Sequence, residues 1–314
     1  MRKVVYVTGC LGFIGYHVTM ACIKQGWYVR GVDKCTYASN INLLSELEKY
    51  DNFVFDQIDI NDMEHFYECD YIINTAAETH VDNSIASSDE FLRSNINGVH
   101  RILNLMKKNH HHMVTPTLIH FSTDEVYGDI VNGSHYETDL LKPSNPYSAT
   151  KAAADMLIVA WSRTHNIPYI IVRPSNNYGI GQYIEKFIPR AVKHLTLNKK
   201  IQLHENGTPK RTWLHASDTA AAIIKIIESG VQNEIYNISG NYEDQNINVA
   251  KKILKLYGIN DWESHVDFSM KRPGQDVRYN INDDKLRKLG WSPKANFDDE
   301  LVNVVEYYKN NFIW

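Results

Sequence analysis

The sequence predicts an α/β fold, a doubly wound parallel sheet followed by a smaller C-terminal α/β domain. Three observations carry that prediction. Short apolar runs alternate with longer amphipathic ones through the first half, which is the pattern of βα units. A glycine-rich turn stands between the first apolar run and the first helical pattern. Past Arg173 the rhythm loosens, and Gly, Asn and Pro become frequent.

The first predicted strand is Lys3–Thr8, entered from Met1 with no signal-peptide-like apolar stretch ahead of it. Strands follow at Tyr28–Asp33, Phe53–Ile58, Tyr71–Thr75, Leu118–Ser122 and Tyr169–Arg173, all rich in β-branched and aromatic residues. Leu92, Ile96, Val99, Leu103 and Met106 recur at helical spacing, so Asp89–Lys107 reads as one helix, and Tyr147–Arg163 as another. The apolar run Glu234–Ile238 reads as a strand returning to the main sheet. The expected division is therefore residues 1–175, with a return segment near 212–240, and residues 176–314. No internal repeat or low-complexity tract interrupts it.

Composition narrows the classes. Of 314 residues, 43% are hydrophobic and 22% charged, enough to build a packed core and too apolar for a disordered chain. Lys+Arg total 33 against Asp+Glu 37, so no basic surplus points to nucleic acid. No apolar run approaches the roughly 20 residues that span a bilayer, and a soluble cytoplasmic protein is expected. Cys10, Cys22, Cys35 and Cys69 show no C-x-x-C spacing, so neither a disulfide framework nor a zinc site is expected. His110-His111-His112 reads as a solvated helix end, since consecutive helical residues diverge. No metal is expected.

The turn Thr8-Gly9-Cys10-Leu11-Gly12-Phe13-Ile14-Gly15 has the features of a dinucleotide site. Gly9 permits the tight turn, Gly12 lets backbone approach a pyrophosphate, and Gly15 lets helix pack close to strand. The helix N-terminus offers N–H groups to phosphate charge. Asp33 ends the second strand, where a carboxylate accepts from the adenosine ribose and repels a 2′-phosphate, which predicts NAD over NADP. The G-x-x-G-x-x-G spacing points to the short-chain dehydrogenase/reductase branch of the Rossmann folds.

Tyr147 and Lys151 share a helix face at i, i+4. A phenol of pKa about 10 is a poor base at neutral pH, and lowering it by about 3 units takes roughly 4 kcal/mol. A neighbouring ammonium and the nicotinamide charge are expected to supply it. Ser122-Thr123-Asp124-Glu125 then places two adjacent carboxylates at a strand's C-terminal end, where such folds bind ligands. Oxidising an alcohol needs only the Thr, Tyr and Lys. An added acid and base point to a second proton transfer, such as elimination of water.

These motifs, with DKCTYASN, AAETHVDNSI, STDEVYG, PYSATK, RPSNNYG, EKFIP, KRPGQDVRY and LGW, make the chain resemble the dTDP-glucose 4,6-dehydratases of the extended short-chain dehydrogenase/reductase family, from Val4 to Trp314. The resemblance implies a redox-neutral reaction that converts dTDP-glucose or UDP-glucose to the 4-keto-6-deoxy sugar, a step of deoxysugar biosynthesis. Tyr147, with Lys151 and Thr123, removes the 4-OH proton as C4 is oxidised by NAD. Glu125 takes the C5 proton, Asp124 protonates the departing 6-hydroxyl, and C6 is then reduced. The resemblance assigns Gly9, Gly12, Phe13, Ile14, Gly15, Asp33, Lys34, Thr36, Asp59, Ile60, Ala76, Ala77, Ser94 and Ser122 to the NAD site, reached also by Tyr147 and Lys151. It assigns Thr79, Asn176, Glu185 and Lys186 to the sugar and phosphates, and Arg211, Asn246 and Arg272 to the diphosphate and nucleoside. His204 stands where the family usually packs a Tyr on the pyrimidine. Cys10-Leu11, Ile180-Gly181, Ile184 and Gln275 also depart from the usual pattern. The resemblance further implies a homodimer, paired through Asp89–Lys107 and Tyr147–Arg163 with Leu105, Met156, Val159, Ala160 and Trp161 on the shared face. Two other readings stay open. A UDP-sugar 4-epimerase would keep Tyr147 and Lys151 but release a 4-hydroxy sugar, and a non-catalytic NAD-sensing protein would have no need of either.

Overall fold

The computed structural model describes residues 2–109 and 115–311, and the His110–His112 run lies outside them. In chain order the strands are β1 (Val4–Thr8), β2 (Tyr28–Asp33), β3 (Phe53–Gln57), β4 (Tyr71–Asn74), β5 (Thr117–Phe121), β6 (Tyr169–Pro174), β7 (Asn176–Tyr178), β8 (Ile201–Gln202), β9 (Lys210–His215), β10 (Glu234–Ile238), β11 (Tyr242–Gln245) and β12 (Val266–Asp267). Seven of them form one sheet in the order β10-β6-β5-β4-β1-β2-β3, parallel throughout. This is the doubly wound sheet that the sequence predicts. Every residue of β5 and β6 is buried, because helices cover both faces, and such strands read as unbroken apolar runs.

From β1 the chain winds outward through β2 to β3, then returns to β4 on the other side of β1. The crevice beyond the C-terminal ends of β1 and β4 is where a ligand sits in such a sheet. One face is covered by the Phe13–Lys24 and Ala216–Ser229 helices, whose Val18, Cys22, Ile223 and Ile226 join a core with Val5, Val29 and Ile170. The other is covered by Gly98–Asn109 and Pro146–His165, through Val99, Leu103, Ala154 and Ile158. A second core, around Tyr178, Val192, Trp213, Leu254 and Val304, lies under the small sheets β11-β9-β7 and β12-β8. Among the described residues, no helix is long and apolar enough to cross a membrane.

The structure corrects the sequence in two places. The Asp89–Lys107 helix is not continuous: α-helix over Asp89–Phe91 gives way to a π segment, Leu92–Asn97, before α-helix resumes at Gly98. The wider turn carries Asn95, whose amide accepts from the Glu78 N–H at 2.9 Å and donates to Thr150 Oγ1 at 2.9 Å. Apolar spacing cannot reveal such a turn, because the covered face continues across it. Leu105 is 1% exposed and packs inside its own chain, so it is not on an outer face, whereas Met156 is 53% and Leu92 45% exposed. The predicted Tyr147–Arg163 helix runs over Pro146–His165, opened by an Asn145/Ser148 capping box with Pro146 in its first turn, and closed by left-handed Asn166.

Candidate active site

Gly9 has φ +72°, and a Cβ there would lie 2.8 Å from the Ala76 backbone. A Cβ on Gly15 would lie 1.9 Å from the Gly9 carbonyl oxygen. The turn therefore requires glycine at both positions. Gly12 caps the Phe13–Lys24 helix without a side chain, which leaves first-turn N–H groups for a ligand. A cleft of about 570 Å³ opens here, lined by Gly9, Gly12, Asp33, Lys34, Thr36, Asp59, Ile60, Ala76, Ala77 and Ser94. It runs into a second cleft of about 1030 Å³, lined by Phe13, Ile14, Gly15, Ala77, Ser122, Thr123, Asp124, Glu125 and Tyr147. A narrow cradle, a helix N-terminus and an acidic far end fit a dinucleotide.

Asp33 also braces the loop. Its carboxylate accepts from the Leu11 N–H at 3.0 Å, the Cys35 N–H at 2.8 Å and Ser39 Oγ at 2.8 Å. One lone-pair direction of its four then remains for a ribose hydroxyl.

Four of the predicted catalytic residues, Thr123, Asp124, Glu125 and Tyr147, line the second cleft beyond the C-terminal end of β5, whereas Lys151, one turn further along the Pro146–His165 helix, lines none of the three clefts. Thr123 accepts from the Glu125 N–H at 3.3 Å, donates to Asp124 Oδ1 at 3.3 Å, and hydrogen-bonds the Tyr147 side chain. Asp124 is 3% exposed, and its other carboxyl oxygen has no hydrogen-bond partner among the described residues. Burial, and then the neighbouring Glu125, push it up to about 8, so it keeps its proton at neutral pH. Burial also raises Glu125, while the Arg211 guanidinium and the Asn145 amide pull it back. Two adjacent carboxyls are thus set apart, one as a standing acid.

The expected lowering of Tyr147 is not supplied by the protein. Burial, and then Glu125, raise its phenol above the ordinary value, and the Thr123 bond offsets this only in part. Lys151 is 2% exposed, and burial pulls it down to about 8, with Asp155 opposing. Lys151 is not among the groups that shift the Tyr147 phenol, so its charge supplies none of the lowering. Asp155 is held in turn by Arg173 Nε at 3.0 Å and Nη2 at 2.9 Å, and by Ser122 Oγ at 3.0 Å.

All eight residues predicted for the substrate, Thr79, Asn176, Glu185, Lys186, His204, Arg211, Asn246 and Arg272, line a third cleft of about 930 Å³ that shares Glu125 with the second. Lys186 Nζ donates to the Thr79 hydroxyl at 2.9 Å. Arg272 makes a two-pronged pair with Asp82 at 2.6 and 2.9 Å. Burial, and then Arg272, pull the His204 imidazole down to about 4, and neither of its ring nitrogens has a hydrogen-bond partner among the described residues. Arg211 donates to the carbonyls of Lys210 and Asp276 and stacks 4.4 Å from the centroid of the Tyr279 ring.

Sequence reasoning missed Asn145, Arg190, Asp276 and Tyr279, which line the same cleft. The last two stand inside KRPGQDVRY, so the motif was visible but not which of its side chains turn inward.

A family model described as GDP-mannose 4,6 dehydratase matches residues 6–304. The chain is 37% identical to the dTDP-glucose 4,6-dehydratase of Neisseria meningitidis serogroup B, over all of this chain and 95% of that one. It is 38% identical to a trifunctional UDP-glucose 4,6-dehydratase/UDP-4-keto-6-deoxy-D-glucose 3,5-epimerase/UDP-4-keto-L-rhamnose-reductase of Arabidopsis thaliana, over 99% of this chain and 48% of that one. The crystal structure of the dTDP-glucose 4,6-dehydratase DesIV from Streptomyces venezuelae, solved with NAD bound, superposes with a TM-score of 0.92 at 34% identity, covering 98% of this chain and 97% of that one. With its glycine turn, its Tyr147–Lys151 helix and its adjacent Asp124–Glu125 pair, the chain belongs to the nucleotide-sugar 4,6-dehydratases of the extended short-chain dehydrogenase/reductase family.

Proposed function

We propose that the chain is an NAD-dependent nucleotide-sugar 4,6-dehydratase that acts on dTDP-glucose or UDP-glucose and releases the 4-keto-6-deoxy sugar. The observation that carries this reading is the adjacent Asp124–Glu125 carboxyl pair, with Asp124 buried, in the cleft that also holds Thr123 and Tyr147. NAD, when bound, supplies the electron acceptor for oxidation at C4 and the donor for reduction at C6. Residues 1–175 with the 212–240 return hold it, chiefly at Gly12–Gly15 and Asp33, and residues 176–314 hold most of the sugar nucleotide. Tyr147, as the phenolate, takes the 4-OH proton, aided by Thr123 and Lys151. Its own surroundings hold its pKa high apart from the Thr123 bond, and a bound nicotinamide cation would lower it further. Once C4 is a ketone the C5 proton is acidic. Glu125 removes it while Asp124 delivers its proton to the leaving 6-hydroxyl. Incubation with either sugar nucleotide is the test: an alkali-sensitive 4-keto product supports the reading, and a 4-hydroxy epimer or unchanged substrate overturns it.

The proton on Asp124 fixes the sign of the pH dependence. Water loss falls as pH rises through about 8, where Asp124 becomes a carboxylate and can no longer donate. Lys151 loses its charge in the same range and slows the earlier oxidation. Single-turnover traces separate the two steps, and a rate of water loss that is flat across that pH would remove Asp124 from the acid role.

His204, neutral and smaller than a phenol ring, grips the pyrimidine with little selectivity. One methyl separates thymine from uracil, so catalytic efficiencies with the two substrates are expected within about tenfold, roughly 1.4 kcal/mol. A hundredfold gap in either direction contradicts this.

The exposed Met156 and Leu92, with half-buried Val159 and Trp161, give the Leu92–Asn109 and Pro146–His165 helices an apolar outer stripe. Two copies pair through it across a twofold axis. Sedimentation at micromolar concentration is expected to show a dimer, and a monomer alone would exclude it.

A further inference from the structure

Beneath Glu125 lies a buried network that the assigned roles leave unused. Asp276 is 5% and Tyr279 4% exposed. The Tyr279 hydroxyl hydrogen-bonds Asp276 Oδ2 and also reaches Glu125 Oε2 at 3.5 Å. Ser144 Oγ donates to the same Asp276 oxygen. The Asp276 carbonyl accepts from Arg211 Nη2 at 3.1 Å, and the Tyr279 ring carries the same guanidinium. One short segment thus touches Glu125 through a hydroxyl, places a negative charge behind it and pins the positive charge that opposes it.

We propose that Asp276, acting through the Tyr279 hydroxyl, is a positioning residue that sets the aim of Glu125 and its hold on a proton. This rests on the reading of Glu125 as the base at C5. Charged and titratable groups from several elements interact with Glu125, and Glu185 also lines the clefts it faces. Asp124 precedes it in the chain, Tyr147 comes from the Pro146–His165 helix, Arg211 from β9, Lys186 from the start of the Phe187–Thr196 helix, and Asp276 and Tyr279 from the stretch after β12. Asn145 adds an uncharged donor at 3.3 Å. Arg211 and Lys186 favour the carboxylate, and Asp276 opposes them. Without Asp276 only burial opposes the two cations, and Glu125 becomes a weaker base toward a carbon acid. The hydroxyl does the converse. As a donor to Glu125 it steadies the carboxylate form, and as a donor to Asp276 it tempers the charge behind it.

Opposite shifts are therefore expected from two near-isosteric variants. The measurement is solvent deuterium uptake at C5 of UDP-glucose against pH, with the NAD-loaded full chain. Asp276→Asn should move the acid limb down by roughly one pH unit and slow uptake at neutral pH by about three- to tenfold, with KM little changed. Tyr279→Phe should move the same limb up by roughly half a unit. Ser144→Ala, which strips a donor from Asp276 at smaller structural risk, should shift it in the direction of Tyr279→Phe. An acid limb that stays in place in all three, or moves the same way in Asp276→Asn and Tyr279→Phe, overturns the proposal and leaves the network as scaffolding. Should Asp276→Asn fail to fold, the absence of an upward shift in the other two overturns it equally. Glu125→Gln run alongside keeps the readings apart, because exchange surviving in that variant removes Glu125 as the base, whatever the other variants do.

Discussion

Glu125→Gln is expected to split the reaction in two. The amide keeps the shape and the hydrogen-bonding end of the side chain but cannot accept a proton at neutral pH. Oxidation at C4 depends on Tyr147, Thr123 and Lys151, so the variant given substrate should still develop the near-ultraviolet absorbance of reduced nicotinamide. It should then stall, with little solvent deuterium entering C5 and slow loss of water. Removal of a general base costs roughly 10²–10⁴-fold, and overall turnover should fall by that order while binding of the sugar nucleotide changes little. Tyr147→Phe should fail one step earlier, with no absorbance change at all. A Glu125→Gln enzyme with normal exchange and turnover would show that the acidic pair does something else.

Arg173→Met is expected to cost a large share of the folding stability. Arg173 and Asp155 are 1% and 0% exposed, and Arg173 also donates to the Tyr127 hydroxyl at 2.7 Å. Methionine fills much of the volume but leaves the Asp155 carboxylate buried, with Ser122 as its hydrogen-bond donor among the described residues. Breaking such a pair costs about 3–5 kcal/mol, and urea unfolding should show a loss of that size at neutral pH. The sign of its pH dependence follows from Asp155, which burial already raises above the usual carboxylate range with Arg173 present. Without its partner it rises further, so the protonated form is favoured in the folded state and the deficit shrinks as pH falls below that value. A loss under about 1 kcal/mol at neutral pH would mean that Lys151, one turn away, compensates the charge. The same variant tests how firmly β6 fixes the catalytic helix, since Asp155 and Lys151 lie on adjacent turns of it.

The sheet, the cofactor turn and the chemistry are all written in the order of the residues. The central strands were legible because each is a short apolar run, and burial on both faces leaves few other ways to write one. Gly9 and Gly15 were legible because no side chain fits at either position. The acidic pair was legible because two carboxyls in succession at a strand end have no use in a core. Other features emerge only on folding, because neighbours distant in the chain set them. The π turn at Leu92–Asn97 follows from Asn95 meeting Glu78 and Thr150. Leu105 is interior because its own chain covers it. The proton on Asp124, the high phenol of Tyr147 and the place of Asp276 behind Glu125 depend on which charges share a dry pocket, and that pocket is assembled from β5, β9, the Pro146–His165 helix and the stretch after β12. Residue types and spacing record what a segment covers along its own length. They carry no record of the charges that folding brings to face it.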